Sequence, residues 1–558
     1  SYNQVRLDLL EKPVSKSKLE KDIKRIMGDS FSSVVMKENK ISITQVDEEI
    51  NQIHKMAMLF SIVFILLSIL SIYTTMSRLI SNQMVQIGTL KSLGFYDRQI
   101  YFHYGAYGFL VAIIGSLVGV IFGYTVVANL VMNIKKATLT LPIWKKSFGI
   151  DSMILIVLIV TVCTLAAIIT TRKVIKNNPS FTIKGMLDKK SSGPGIYKKS
   201  RLSYDWLWTL RSIRIHPIRT FMSITAIVGS IVLMVAGLGV WDSLYSSYQD
   251  VYNNEFCYKY IGQVYGESYN NLSRKFNSFD VQFAQSETAD FSFHGIEKSG
   301  SLLVLDSGDK IRIFDAKSKK KIRIEKDEVA IASQLAEQLD VKVGDKIAYK
   351  TKSSLNEHRV TVTAIVDAKM PQGIFIYKDK VKNFEPNTIY IGDSEAYEQA
   401  KKEESISNII SIKKQQDNMK EMMDSVHSIM YILIVAAFVL SVVILYNLGI
   451  LSYLERYREY ATMKVIGFKH SEIMGMVFKE SVLNLLTGFV IGIPLSKQFL
   501  KLYIRVVSMD SMEWTPIITK DHFLIVIFCV IGFSVLVNLV VSMRIRKIDM
   551  VEALKSIE

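Results

Sequence analysis

The sequence predicts a polytopic α-helical membrane protein of about seven spans with an extracytoplasmic α+β domain. Three observations support this fold class. Of the 558 residues, 49% are hydrophobic and 22% are charged, and the apolar residues gather into separate long runs. Lys and Arg concentrate in one set of the segments between those runs. The longest polar region, 242–427, contains passages in which apolar and polar residues alternate as they do in strands.

Each apolar run is long enough to cross a bilayer, for which about 20 residues suffice. The predicted spans cover approximately 56–77, 105–132, 151–171, 220–241, 428–450, 478–500 and 522–543. The second span is longer than a bilayer requires, so we expect its helix to tilt or kink.

Positive charge predicts the orientation of the spans, because cytoplasmic loops carry an excess of Lys and Arg. Segments 78–104, 172–219, 451–477 and 544–558 together hold 23 Lys and Arg against 9 Asp and Glu. We therefore expect these segments inside, with the N-terminus outside and the C-terminus inside. Only 133–150, with four lysines, opposes this assignment. The net charge of +16 then serves topology and contact with membrane lipids, and no nucleic-acid partner is expected.

The sequence contains no pattern typical of a catalytic or metal site. Three cysteines, Cys163, Cys257 and Cys529, exclude a disulfide scaffold and lack metal-ligand spacing. Neither a GxxxxGK[ST] phosphate loop nor an HExxH or GxSxG pattern occurs. We therefore expect no enzyme active site, metal or cofactor in this chain.

The chain repeats itself at an offset of 373 residues. Residues 82–100 (loop 1) read NQMVQIGTLKSLGFYDRQI, and residues 455–473 (loop 2) read ERYREYATMKVIGFKHSEI. The offset pairs Thr89 with Thr462, Lys91 with Lys464, Gly94 with Gly467, Phe95 with Phe468, Gly115 with Gly488 and Gly119 with Gly492. Only the second half has a leading span and a large outer domain. Their counterparts are expected upstream of Ser1, since the chain opens without Met or a leader.

The repeat and the polar regions together predict six segments. They are the tail of a first extracytoplasmic domain (1–55), a first transmembrane module (56–186), a cytoplasmic linker (187–201), an amphipathic helix with the leading span (202–241), an extracytoplasmic α+β domain (242–427) and a second transmembrane module (428–558). In the α+β domain we expect strands at 301–306, 310–315, 358–367 and 373–379, a helix and turn within 328–349, and a polar helix at 403–427.

Three motifs resemble those of the FtsX/MacB family of ABC-transporter permeases. REYATMKVIGF (458–468) and QIGTLKSLGF (86–95) are similar to the family's cytoplasmic loop signature. RSIRIHPIRT (211–220) is similar to its Arg-rich approach to a span, and SQLAEQLDVKVGDKI (333–347) to a passage of its outer domain. The resemblance covers nearly all of 202–558 and most of 1–186.

The resemblance implies a type VII, mechanotransmission ABC permease with two FtsX-like modules in one chain. Its implied partners are two ABC ATPase subunits, which hold ATP and magnesium, membrane lipids, and an extracytoplasmic accessory protein. The implied location is the plasma membrane of a bacterium. The implied function is to couple ATP hydrolysis to movement of outer domains for export or extraction of a substrate. The alternative is a signalling permease that activates cell-wall hydrolases or senses antimicrobial peptides.

The resemblance makes loops 1 and 2 the candidate ATPase contacts. The lysines suit acidic groups of a partner, the apolar residues suit a groove, and the glycines suit a left-handed helix end. The alternative is an ordinary basic loop facing headgroups. Loop 1 departs from the family signature where Gln86 stands opposite Glu459. The predicted contact residues are Gln86, Lys91, Leu93, Gly94 and Phe95 in loop 1 and Glu459, Lys464, Ile466, Gly467 and Phe468 in loop 2.

Small and charged residues within the spans give two further expectations. The GxxxG pairs Gly115/Gly119 and Gly488/Gly492 permit close helix packing, either generic or at a pseudo-twofold interface between the modules. Lys479 and Glu480 lie at the inner end of a span, where we expect both to reach the headgroups by snorkelling.

Overall fold

The computed structural model describes residues 16–28, 41–138, 143–175, 204–215, 217–322, 328–351, 357–381, 384–508 and 511–546. The predicted linker 187–201 lies outside these residues. The chain divides into two units, which we call the sheet unit and the helical unit. The sheet unit comprises Ser1–Lys55, Leu244–Lys420 and Val506–Thr515, and the helical unit comprises Met56–Ser243, Glu421–Arg505 and Pro516–Glu558.

Helices account for nearly all of the described helical unit and for the ends of the sheet unit. In chain order they are α1 (Lys16–Met27), α2 (Ile41–Asn82), α3 (Met84–Ser92), α4 (Asp97–Phe122), α5 (Ala128–Thr138), α6 (Ile150–Ile175), α7 (Tyr204–Ile215), α8 (Pro217–Asp250), α9 (Tyr269–Lys275), α10 (Ser333–Leu339), α11 (Ser394–Lys402), α12 (Ile412–Glu455), α13 (Tyr457–Ile466), α14 (His470–Val507) and α15 (Lys520–Arg546).

Seven of the described helical stretches are long and apolar enough to cross a membrane. They are Glu49–Ile80, Asp97–Lys136, Ile150–Arg172, Pro217–Glu255, Ile412–Leu454, His470–Val507 and Lys520–Met543. Each contains or closely overlaps one predicted span, so the predicted class of polytopic helical membrane protein is confirmed. The irregularity expected in the second span is a π-helical turn at Gly123–Val127, which joins α4 to α5.

Helix α8 is the most enclosed of the seven within the structure. Three of its glycines face large side chains of other helices. A Cβ would lie 2.5 Å from Leu67 of α2 at Gly229, and 2.4 Å from Ile434 of α12 at Gly237. At Gly239 it would lie 2.6 Å from Leu500 of α14. Because the glycines have no side chain, α8 packs closely against helices from both halves of the chain.

The sheet unit is built on twelve described strands in one mixed sheet. The strands are β1 (Tyr260–Val264), β2 (Val281–Phe293), β3 (Ile296–Leu305), β4 (Ile313–Asp315), β5 (Lys321–Ile322), β6 (Val329–Ala332), β7 (Lys346–Thr351), β8 (His358–Thr361), β9 (Ala364–Asp367), β10 (Gly373–Tyr377), β11 (Thr388–Ile391) and β12 (Ile406–Ser411). Their order is β12-β1-β11-β2-β3-β10-β6-β9-β4-β5, with β7 pairing to β2 and β8.

Pairing within the sheet is mostly antiparallel. β10 runs parallel to β3, and β6 runs parallel to β9. Helix α10 covers one face, where Leu335, Ala336 and Leu339 pack against buried residues of β2, β6 and β10 such as Phe291 and Ile374. This mixed sheet with short helices confirms the expected α+β domain.

The local predictions in this domain miss two strands. The helix and turn expected within 328–349 are confirmed by α10 and by Gly344 at φ +100°, but the passage opens with the strand β6 at 329–332. Residues 406–411, expected to be helical, form β12 beside β1. In both cases a strand distant in sequence supplies the hydrogen bonds, so pairing overrides the helical spacing of apolar residues. The four predicted strands are confirmed by β3, β4, β8 with β9, and β10.

Candidate functional site

Loops 1 and 2 have the same backbone geometry. Helix α3 is followed by Gly94 at φ +90°, and α13 is followed by Gly467 at φ +104°. In each loop the next residue, Phe95 or Phe468, donates its backbone N–H to the carbonyl five residues earlier, at 3.1 Å and 3.0 Å. Glycine suits this left-handed turn because a Cβ at positive φ is strained. Both glycines therefore end a helix in the way that the sequence predicts.

Both loops present apolar side chains at their tips. Leu93 is 72% exposed in loop 1, and Ile466 is 71% exposed in loop 2. Phe95 is also exposed, as are the polar residues Gln86 and Glu459 near the start of each helix. Large apolar residues clustered at an exposed helix end are typical of a surface that binds another protein or a membrane.

The two repeat lysines bind backbone within the helical unit. Lys91 Nζ donates to the carbonyl of Ile175 at 2.5 Å and lies 3.3 Å from the carboxylate of Asp97. Lys464 Nζ donates to the carbonyl of Arg546 at 3.3 Å. Ile175 is the last described residue of α6 and Arg546 is that of α15, so each lysine binds a backbone carbonyl in the last described helix of its half. Their predicted role toward acidic groups of a partner stays a prediction.

The two GxxxG pairs have different surroundings. A Cβ added at Gly488 of α14 would lie 2.5 Å from Ile227 of α8, and one at Gly492 would lie 2.8 Å from Ile231. At the equivalent glycines of α4, no atom of the described residues lies within 4 Å of such a position. The second pair therefore packs against α8, whereas a partner for Gly115 and Gly119 stays a prediction.

An ion cluster that the sequence did not predict lies next to loop 2. The Glu480 side chain is 6% exposed and binds two arginines. Arg456 Nη1 lies 2.7 Å from Glu480 Oε2, and Arg219 Nη2 lies 2.9 Å from Glu480 Oε1. The Ser212 hydroxyl, from α7, lies 3.3 Å from the same carboxylate. The expectation that Glu480 snorkels to the headgroups is wrong, because both cations meet it within the helical unit.

Tryptophans of α7 pack against the cations near this cluster. The guanidinium of Arg456 lies 4.9 Å from the ring centre of Trp208, and Lys479 Nζ lies 5.9 Å from that of Trp206. At the repeat offset, Gln83 and Tyr107 replace Arg456 and Glu480. This difference between the two halves is a signal in the sequence that could have found the cluster.

Part of the connection between α14 and α15 belongs to the sheet unit. We call residues 506–508 and 511–515 the tie. Ser333 Oγ donates to the Glu513 carboxylate at 2.8 Å, and Gln334 Nε2 donates to Ser508 Oγ at 3.1 Å. The N–H of Glu513 donates to the Lys369 carbonyl at 2.9 Å. The motif at 333–347 thus begins with two side chains that hold the tie.

The described residues contain no group of three or more His, Cys, Asp or Glu side chains arranged to hold a metal ion. Among the described residues, the polar clusters consist of ion pairs and hydrogen bonds between helices or within the sheet unit. These contacts hold helices and loops in place.

Seven membrane-capable helices among the described residues, a repeated loop and a mixed sheet domain define a multi-pass membrane protein. Residues 58–179 and 431–550 each match the family model of the FtsX-like permease C-terminal domain. The two matches begin 373 residues apart, at the offset of the internal repeat. The chain thus carries two copies of the C-terminal domain of the FtsX-like permeases, a family of ABC-transporter membrane subunits. No curated protein matches the chain.

Proposed function

We propose that the chain is the permease subunit of a type VII, mechanotransmission ABC transporter in a bacterial plasma membrane. Two separate ATPase subunits, which bind ATP and magnesium, dock on loops 1 and 2 at the cytoplasmic face. Their closure moves the loops, and the movement reaches the extracytoplasmic sheet unit. There it drives export or extraction of a substrate at the outer face of the membrane.

The observation that carries this proposal is the shared geometry of the two loops. Each has a helix ended by glycine at positive φ, with an apolar side chain more than two-thirds exposed beside it. Each loop is also fixed to its own half by a lysine that binds a backbone carbonyl of the last described helix in that half. A loop that is held at its base and apolar at its tip can pass a force from a bound partner to the spans.

Co-purification with an ATPase tests the docking. The permease is expressed with the ATPase encoded beside it, as wild type, as Leu93→Asp with Ile466→Asp, and as Val343→Asp. Val343 is 59% exposed in the sheet unit and serves as a matched control. A buried apolar side chain contributes about 1–3 kcal/mol at an interface. The amount of ATPase that co-purifies with the double variant should therefore be lower than with the wild type by roughly tenfold or more.

The control should retain as much ATPase as the wild type, and all three proteins should insert in the membrane. Failure of the wild type to retain any ATPase would contradict the proposal. Full retention by the double variant would contradict the assignment of the loop tips as the contact.

A further inference from the structure

We propose that Glu480 is a positioning residue that fastens loop 2 to the leading helix α8, so that the second half of the chain transmits the main drive. This inference rests on the proposed function, because it assigns a route to the movement that an ATPase would start at loop 2. We therefore expect the second half to pass on more of the ATP-driven movement than the first half.

The geometry brings three elements to one carboxylate. Arg456 is the single residue between α12 and α13, and therefore stands at the base of the loop 2 helix. Arg219 lies in the first turn of α8, and Glu480 lies on α14. One oxygen of Glu480 lies 2.9 Å from Arg219 and 3.0 Å from Arg456 Nη2. A displacement of the loop 2 helix therefore acts directly on the start of α8.

Burial makes this joint stiff. Arg456 is 1% exposed and Arg219 is 7% exposed. Separating the ions would leave buried charges unpaired, which is costly, so the ions remain together while the elements move. The Ser212 hydroxyl also accepts a bond from Arg219 at 3.3 Å and contacts Arg456, which adds α7 to the same joint.

The far end of α8 is fixed within the sheet unit. After Asp250 the helix continues as a π-helical turn, Val251–Glu255. The buried Glu255 carboxylate accepts the N–H of Lys369 at 2.7 Å and the N–H of Met370 at 3.3 Å. Within the sheet unit, the continuation of this helix is thus held by the Glu255 carboxyl group. Movement that starts at loop 2 would enter α8 at Arg219.

The first half has a weaker arrangement at the equivalent place. Gln83, at the position of Arg456, accepts a hydrogen bond from the Tyr104 hydroxyl at 2.7 Å. Tyr107, at the position of Glu480, is 49% exposed. A neutral hydrogen bond between α4 and the residue before α3 replaces a buried ion cluster. In the described part of the first half, the two positions equivalent to Arg456 and Glu480 therefore hold no ion pair.

Spin-label distances in the assembled transporter test the joint. Labels are placed at Ser147→Cys and Glu297→Cys, which are both exposed, in a background without the three native cysteines. The distance is measured with and without ATP in the complex with the co-expressed ATPase. The variants are Glu480→Gln, Glu480→Asp, Ser212→Ala and Tyr107→Phe, the last as the matched control in the first half.

The expected result separates transmission from binding. All variants should retain the ATPase. In Glu480→Gln, the ATP-dependent change in the distance distribution should be roughly tenfold smaller than in the wild type, a typical size for coupling between sites. Glu480→Asp should restore most of the change, and Tyr107→Phe should leave it as in the wild type. Ser212→Ala leaves the charges in place and should therefore reduce the ATP-dependent change by less than Glu480→Gln does. It serves as the main variant if Glu480→Gln does not insert in the membrane.

Two contrary results have different meanings. A wild-type complex that responds to ATP, with full responses in Glu480→Gln and Ser212→Ala, would overturn this inference and leave the proposed function standing. A wild-type protein that retains no ATPase or shows no response would overturn both.

Discussion

Replacing Gly488 by alanine should destabilise the helical unit, because α14 and α8 touch at this glycine. The new Cβ would lie 2.5 Å from Ile227 Cγ2 and 3.0 Å from Ile227 Cβ. Carbon atoms pack favourably only at about 3.5–4.0 Å. Since the Cβ atoms of both residues are fixed to their helices, rotation of a side chain cannot relieve the overlap. The helices must separate by about 1 Å.

The internal repeat supplies the reference for the size of this effect. Overpacking in a core costs about 1–3 kcal/mol, whereas alanine is favoured over glycine in a helix by about 1 kcal/mol. In the part of the chain that the structure describes, no neighbouring atom lies within 4 Å of a Cβ at Gly115, so we expect only the helix preference to act there. We expect Gly488→Ala to lower the free energy of unfolding by about 1–2 kcal/mol and Gly115→Ala to raise it by up to about 1 kcal/mol.

Gly492→Ala should fall between these two variants. Its nearest contact is Ile231 Cδ1 at 2.8 Å, which is the end of a flexible side chain and can rotate away. The measurement is unfolding of the purified chain by SDS in mixed micelles, followed by circular dichroism. If Gly488→Ala proved as stable as Gly115→Ala, the close contact of α8 and α14 would be refuted.

Two further predictions concern the sheet unit and loop 2. Burial raises the pKa of Asp306 to about 6, although the N–H of Phe283 and the hydroxyl of Tyr269 bind the carboxylate. The folded state therefore holds this proton more tightly than the unfolded state, so stability should fall by at most about 3 kcal/mol as the pH rises from about 4 to 6. Asp306→Asn should remove that slope in denaturant unfolding of the full chain, and an unchanged slope would contradict the assignment. Gly467→Ala should cost about 1 kcal/mol or more, because alanine is strained at φ +104°. Gly475→Ala, in α14 with open space around it, is the control and should be neutral or stabilising, so equal losses in both variants would count against the strain.

The features that depend on local sequence were predictable. Span positions follow from the length and hydropathy of single runs, and the helix ends at Gly94 and Gly467 follow from glycine after a helical segment. The strands at 329–332 and 406–411 were not predictable in this way. Their hydrogen-bond partners lie in strands far away in the chain, which no local pattern reports.

The candidate site shows the same division. The repeat pointed to Lys91 and Lys464, but the carbonyls that they bind lie more than 80 residues further along the chain. Glu480 at the end of a span looked like a snorkelling residue because its cations come from other parts of the chain, Arg219 in α8 and Arg456 between α12 and α13. In the sequence, the cluster is indicated only by the difference between equivalent positions of the repeat, Glu480 in one half and Tyr107 in the other.

The tie changes how a soluble fragment of the sheet unit should be designed. A fragment cut at the ends of the sheet alone, from residue 256 to 411, would lack the segment that binds the backbone of Lys369 and Gln372. It would also lack Trp514, which is 2% exposed in the structure. Joining residues 506–515 to its C-terminus through a flexible linker would restore these contacts. Antibody, crystallisation and ligand-screening work on this domain should therefore begin from a two-segment fragment.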